Sequence, residues 1–548
     1  MSKSDLQGGL KKGPPQTVQG HHPQVPAMQQ TFSSTQLYAL SAIALGAAVL
    51  YLFKRRTPSN LPPGPPRKFL IGNALDFPRL QTWFKFTEWR DQYGDIVYAE
   101  ALGKPMVILN TLEATNDLLE KRAGNFTNRP NLVVVGEMMR VNEGMPMLPY
   151  GPAWKKQRRL ANLALSIAAV KKYHELQSQI TAMFLQSLIE KPKKYADELR
   201  LATGRIVMNV TYGLSAKTPD SLYITEAEEC LDIVNRGSMP GAFIVDLMPA
   251  LRYLPSWLPG VTFHKAGREG REKIQRLIKR PFSYEAGTAR PSLTLDCMEN
   301  FESLNEKAAS QEEKEHAIRW TSGCMYAAGG ESTYSTIMNF ILAMVKHPEV
   351  FKKAQAEYDS VIGGSRLPAV EDRASMPYIQ ACVKESMRWK PALPVSIARE
   401  TTEDEEYRGY FIPKGTLVVP NVWAMAQDNI SGIPTEAFAP ERHMPEHVGK
   451  KLATDPTKFA FGFGRRVCPG RFLGENSVFL LLAGIVATMD IAPEMDAQGH
   501  PINPDPDYSG GLVAHPESFP VKITPRSPSV SSMVADIVNS IEEFDDQY

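Results

Sequence analysis

Hydrophobic and polar positions fall into three regimes along the chain. Residues 1 to about 30 are rich in Gln, Pro, Gly and His and offer little to bury, so a disordered arm is expected there. His21 and His22 read as a solvated polar pair within it rather than a metal site. Leu37 to Phe53 then runs LYALSAIALGAAVLYLF, interrupted only by Ser41 and Gly46. With 31–36 ahead of it, the stretch reaches the roughly 20 residues that cross a bilayer. Beyond residue 66, long segments of helical apolar spacing alternate with short strand-like pieces at 96–101, 105–110 and 416–419. Helix dominates, and no internal repeat or dinucleotide-binding glycine fingerprint is present.

Two of these segments predict long helices. Residues from about 314 to 346 read as one helix stopped by Pro348. At about 1.5 Å per residue it spans some 50 Å, enough to cross a domain. Arg471 to Thr488 reads as a second helix, entered from a glycine-rich loop.

Local charge orients the anchor. Lys54, Arg55 and Arg56 follow the apolar run directly, which differs from a cleavable signal and places the body of the protein on the cytosolic face. The expected organisation is an arm (1–30), an anchor (31–53), a basic and Pro-rich tether (54–66), one catalytic domain (67–525) and a Ser-rich then acidic tail (526–548). The LPPGPP of Leu61 to Pro66 suits the tether, because proline fixes φ and removes donors. The tail is either disordered or a short amphipathic helix.

Overall composition excludes several classes. The 548 residues carry 61 basic and 60 acidic side chains, a net charge of +1, and no basic stripe with aromatics that would ask for nucleic acid. Five cysteines, at 230, 297, 324, 382 and 468, lie far apart and form neither a zinc knuckle nor a disulfide framework. Four read as small buried hydrophobes. Cys468 does not.

Its surroundings read Phe461-Gly-Phe-Gly-Arg-Arg-Val-Cys-Pro-Gly470. A thiolate that ligates a metal must be held rigidly, shielded from water and approached by donors that temper its charge. Gly462, Gly464 and Gly470 permit tight turns, Phe461 and Phe463 supply an apolar wall, and Arg466 offers a cationic fork. The following helix adds the positive end of its dipole. The bland alternative is a glycine-rich surface turn with an incidental cysteine, which leaves the phenylalanines and arginines unaccounted for.

This pattern, FxxGxRxCxG, resembles that of the cytochrome P450 family. The resemblance implies a mainly α fold with small β-sheets, haem b as cofactor, and Cys468 as axial ligand to its iron, donating electron density toward O–O cleavage. It extends over about 37–525 through four further elements. Ala327-Ala-Gly-Gly-Glu-Ser-Thr333 lies mid-way along the first long helix. Adjacent glycines there cost about 1 kcal/mol each against alanine, which predicts either a groove for dioxygen or close helix packing. Glu331, Ser332 and Thr333 are the candidate proton-relay groups, with Ser332 standing where the family carries threonine.

Glu385-Ser-Met-Arg388 and Arg442 resemble the family's buried Glu–Arg–Arg brace; alone, the i, i+3 pair is an ordinary surface contact. Trp154, Arg158 and Arg399 resemble its propionate-binding residues, completing a cofactor set of Cys468, Trp154, Arg158, Arg399, Phe461, Arg466 and Gly470. By the same analogy the substrate pocket draws on Met325, Ala328, Gly329, Val395, Ile397 and Leu512, with the loop at about 126–148. These are apolar or small and suit a lipophilic substrate. The stretch from Thr401 to Trp423 looks like fungal members that oxidise secondary metabolites.

The implied activity is a monooxygenase using O2 and two electrons from NADPH. No flavin or nicotinamide motif is present, so the electrons must arrive through a separate NADPH–cytochrome P450 reductase, with cytochrome b5 as a second donor. Lys155, Lys156, Arg159 and Arg465 are candidate docking cations, or simply a solvated face. The expected location is the endoplasmic reticulum membrane, single-pass. The competing activities are haem-thiolate rearrangement or dehydration without oxygen insertion, detoxification of foreign compounds, and a haem carrier or sensor without turnover.

Overall fold

The computed structural model describes residues 60–541 apart from 79, 240, 286–290, 305–309 and 449–450. The arm with His21 and His22, the anchor, the basic part of the tether and the acidic end of the tail lie outside the described residues.

Small sheets sit at the edge of a helical body. In chain order the strands are β1 (Ile96–Ala101), β2 (Lys104–Leu109), β3 (Arg399–Glu400), β4 (Glu405–Tyr407), β5 (Tyr410–Ile412), β6 (Leu417–Pro420), β7 (Met489–Ala492) and β8 (Lys522–Pro525). The largest sheet has the order β1-β2-β6-β3, with β2 and β6 parallel and the other pairs antiparallel. Leu102 and Gly103 both have positive φ, which gives the two-residue hairpin turn between β1 and β2. Two of the three strand-like segments are displaced by one residue from their expected bounds, within the usual uncertainty of element ends.

The long helix runs Gln311–Lys346, and Ser310 caps it by accepting the Glu313 amide. It begins three residues before the expected start because that cap lies ahead of the apolar run. From Thr333 to Val345 every residue is buried. Around it pack the helices Pro152–Leu165, Tyr195–Tyr212, Phe263–Glu285 and Pro377–Trp389. The helix Arg471–Thr488 follows the cysteine loop and is buried from Asn476 onward. Among the described residues it is the one helix long and apolar enough to cross a membrane, yet it forms the centre of the core.

The tail is ordered as far as it is described. Ser527 caps the helix Pro528–Asn539, whose Val534 is fully buried while Val530, Met533 and Val538 pack on the core. Of the two expectations for this segment, the structure shows the amphipathic helix.

Candidate active site

A cavity of ≈ 390 Å³ opens between the long helix and the cysteine loop. Cys468 borders it. The Cys468 amide donates to the Phe461 carbonyl at 2.7 Å, closing the loop on itself. Gly462 and Gly464 sit at φ of 77° and 54°, and a Cβ on Gly464 would lie 2.1 Å from the Leu119 carbonyl oxygen. Only glycine fits there, so the loop's position rests on that close approach. Gly470 has an ordinary φ and acts differently: it caps the following helix, and its amide hydrogen-bonds the sulfur. Burial pushes the Cys468 thiol up, while that amide, Arg158 and Arg471 oppose the shift. Phe461 lines the cavity as expected, but Phe463 turns away into the core beside the large sheet.

Three buried guanidinium groups converge on the same space. Arg399 donates to the Phe463 carbonyl at 3.2 Å, but its Nε and Nη1 have no partner among the described residues. Arg466 spends its fork on the carbonyls of Thr127, Met145 and Leu148 and lies 4.8 Å over the Trp154 ring. Arg129 donates to the carbonyls of Pro146, Ile397 and Ala398. Burial and the neighbouring guanidinium push Arg399 down to about 9; burial, offset slightly by Tyr150, pushes Arg466 down to about 10. Arg129 falls well below its ordinary value for the same reasons as Arg399. The Trp154 Nε1 is also buried without a partner among the described residues. Arg158 is tied to the Val467 carbonyl at 2.5 Å.

The long helix supplies the other wall. Glu331, Ser332 and Thr333 all border the cavity. Glu331 is the one acid that does so among the described residues, and its carboxylate pairs with Arg200 at 3.0 Å and His515 at 3.2 Å. The Thr333 hydroxyl returns to the Gly329 carbonyl at 3.4 Å. The helix is continuous through the glycine pair. A Cβ on Gly329 would come within 2.8 Å of Val207, and one on Gly330 would touch Thr203 and Gly204. Gly329 therefore permits close approach of the helix Tyr195–Tyr212, as the packing alternative expects, and it borders the cavity as well.

On the helix Pro377–Trp389, Glu385 is fully buried and saturated. It accepts from Arg388 (2.8 and 2.9 Å), Arg442 (2.9 Å), His443 (3.0 Å) and the Ala439 amide (3.0 Å). Sequence reasoning found the two arginines and missed His443.

Comparison with known proteins decides what this arrangement belongs to. The sequence profile described as cytochrome P450 matches residues 62–523. Cytochrome P450 monooxygenase COX2 of Coprinopsis cinerea is 36% identical over 92% of this chain and 97% of its own length. Cytochrome P450 monooxygenase 105 of Postia placenta is 37% identical over 90% and 95%. The chain belongs to the cytochrome P450 family. Cytochrome P450 monooxygenase claR of Ampulloclitocybe clavipes is likewise 36% identical over 92% and 94%. A zebra fish cytochrome P450 structure with abiraterone aligns at a TM-score of 0.64 and 22% identity, covering 81% of this chain and all of that one, which shows the fold.

Membership in the cytochrome P450 family makes this a monooxygenase of a haem-dependent kind, and the cavity fits that group. Three buried cations with little acid nearby are costly alone and suited to a dianion. Haem carries two carboxylates. The unpartnered N–H groups of Arg399 and Trp154 are the donors such carboxylates need. Replacing Arg399 with Leu is therefore expected to weaken haem retention by about 10- to 100-fold, the usual cost of losing an outer-shell partner. Haem transfer to an apo-globin acceptor measures it, and an unchanged transfer rate assigns the propionates elsewhere.

Of the expected pocket residues, Met325, Ala328, Gly329, Ile397 and Leu512 line the cavity. Val395 does not; it lines a small neighbouring void that Ile397 and Leu512 share. Sequence reasoning missed Arg129, Arg200 and His515, and the wall from the helices Leu222–Gly237 and Phe263–Glu285, which contribute Cys230, Val234, Leu277 and Ile278. The dipeptide Arg129-Pro130 gave no periodic signal. Among the expected docking cations, Lys156 is already paired with Glu313 at 2.7 Å and Arg465 with the Tyr150 hydroxyl at 3.2 Å.

Proposed function

We propose that this cytochrome P450 inserts one oxygen atom from O2 into a lipophilic small molecule of fungal secondary metabolism. One observation carries the reading: Cys468 on one element and Glu331 with Ser332 on another border a single, mainly apolar cavity. Haem held by Cys468 would supply oxygen activation. The chain's own residues do the rest. Arg129, Arg399, Arg466 and Trp154 fix the propionate edge. Glu331 and Ser332 provide a carboxylate and a hydroxyl where protons must be delivered. Ile206, Val207, Leu277 and Leu512 exclude water and favour an apolar guest. All the curated relatives described above are fungal and carry the name monooxygenase, which supports the same reading.

Electrons would reach the site from NADPH through a separate reductase, with cytochrome b5 as an auxiliary donor. Lys155 and Arg465, stacked about Tyr150 near the cysteine loop, suit an acidic partner. We place the chain in the endoplasmic reticulum membrane through residues 31–53. Exposed Phe69, Leu75, Tyr253 and Trp257 suit a surface that touches lipid.

Reaction under ¹⁸O₂ tests the assignment. A product heavier by one labelled oxygen supports insertion, whereas an unlabelled rearranged or dehydrated product overturns it. Ser332→Ala is expected to lower product formed per NADPH severalfold while leaving the haem spectrum intact, read by product and hydrogen peroxide assays. Unchanged coupling removes Ser332 from the relay.

A further inference from the structure

The loop that ends the catalytic domain is fastened to one face of the long helix. Glu331, Ser335 and Asn339 stand at i, i+4 and i+8, so they share that face. Glu331 Oε1 meets His515 Nε2 at 3.2 Å. The Ser335 hydroxyl donates to the Ala514 carbonyl at 2.7 Å, in full burial. Asn339 Oδ1 accepts from the Tyr508 hydroxyl at 2.6 Å. Between Tyr508 and His515 the loop closes on itself, the Ser509 amide donating to the His515 carbonyl and the His515 amide to Ser509 Oγ, each at 3.0 Å. Its tip, Leu512 and Val513, lines the cavity.

The histidine has few choices of protonation. Its Nδ1 lies 3.2 Å from the Pro516 carbonyl and its Nε2 faces the Glu331 carboxylate. Neither oxygen gives a proton, so both nitrogens are satisfied only as imidazolium. Arg200 grips the second oxygen of Glu331 at 3.0 Å. Its guanidinium also pairs with Glu228 at 3.1 Å and lies 4.1 Å over the Tyr334 ring, which meets His515 edge-on. Further out, Asp197 bears on Glu228 and Tyr195 on Tyr334.

We propose that His515 and Arg200 form a clamp that holds Glu331 ionised and fixed along the helix, with His515 as its titratable half. Arg200 stays charged throughout the working range, so the clamp has a permanent jaw and one that opens as pH rises. His515 is a positioning residue: it sets the state of the carboxylate and ties it to the loop whose tip lines the cavity. This rests on the reading that Glu331 lies on the proton path.

The electrostatics agree with the geometry. Burial opposes charge at both groups, but the mutual contact wins, leaving Glu331 below the usual carboxylate range and His515 above the usual imidazole value. A base raised on folding contributes its full stabilisation below about pH 6.5 and loses it as pH climbs through the folded value.

The test uses the full-length holoenzyme in its ferrous–carbon monoxide form, labelled with [¹³C]histidine. The chain has ten histidines, and His515→Gln identifies the resonance. It is expected to stay imidazolium above the ordinary histidine midpoint, and Glu331→Gln is expected to lower that midpoint by about one unit, a tenfold loss of proton affinity. A midpoint at or below the ordinary value, or one indifferent to Glu331→Gln, overturns the clamp. Hydrogen peroxide released per NADPH, with reductase, gives the functional arm. Wild type is expected to leak more as pH rises through the His515 midpoint. His515→Arg, which keeps the charge, is expected to stay flat and low, and His515→Gln flat and high. A wild-type profile that rises with pH while the two variants coincide overturns the clamp. A high imidazolium midpoint with no change in peroxide supports the clamp and instead removes Glu331 from the proton path.

Discussion

Replacing Cys468 with Ala is expected to abolish the red-shifted reduced-carbon-monoxide band that marks thiolate ligation, and turnover with it. Cys468→His is expected to yield, at most, a histidine-type spectrum. The sulfur is held from several directions: the loop closes through Phe461, the Gly470 amide points at it, and Arg158 and Arg471 lend positive charge. Burial alone favours the neutral thiol, so Cys468 would hold the iron as a thiolate only with the help of that cation's own charge. The discriminating controls are Cys230 and Cys324, which line the same cavity. Burial pushes both thiols up to about 12, which makes them inert at neutral pH. Cys230→Ser and Cys324→Ser should retain the band. A band that survives Cys468→Ala would place the ligand elsewhere and sink the site as described.

The second large effect is expected at Glu385. Glu385→Gln or Arg388→Ala strands charge in a fully buried network, a loss of about 3–5 kcal/mol where partners are removed one at a time. That is much of the roughly 5–15 kcal/mol by which domains are stable, so little haem-loaded protein should accumulate. Thermal unfolding and the yield of soluble holoprotein measure it; wild-type values for both would make the network dispensable. The same group predicts acid sensitivity. Burial opposes ionisation, but His443, Arg388 and Arg442 outweigh it and hold Glu385 down at about 2. Its contribution is complete above the ordinary carboxylate value and is lost as pH falls from about 4.5 toward 2.

What the sequence disclosed followed from chemical peculiarity. The cysteine loop was legible because few reasons exist to put three glycines, two phenylalanines and two arginines about one thiol. Even so, the glycines divide the work: Gly464 makes room for the Leu119 carbonyl, while Gly470 caps a helix. The two long helices were found by their extent and stops. Much of each is buried on all sides, so neither shows a clean polar stripe. Arg129, Arg200 and His515 stayed hidden because each is a lone residue whose meaning depends on partners far away in the chain. The distances from Glu331 to Arg200 and to His515 in sequence are 131 and 184 positions, and no local pattern reports such a pairing. Gly329 and Gly330 show the opposite hazard, a motif whose local pattern leaves packing and a groove both open, and Gly329 both packs against Val207 and borders the cavity.

The crowd of arginines at the cavity also bears on how the molecule comes into being. A shell that confines three mutually repelling guanidinium groups is a poor resting state until a counter-charge arrives. Porphyrin capture would then be coupled to final closure of the domain, because what binds only the closed form adds its affinity to folding. The abundance of finished enzyme in a cell would follow its supply of iron porphyrin as closely as it follows the message that encodes it.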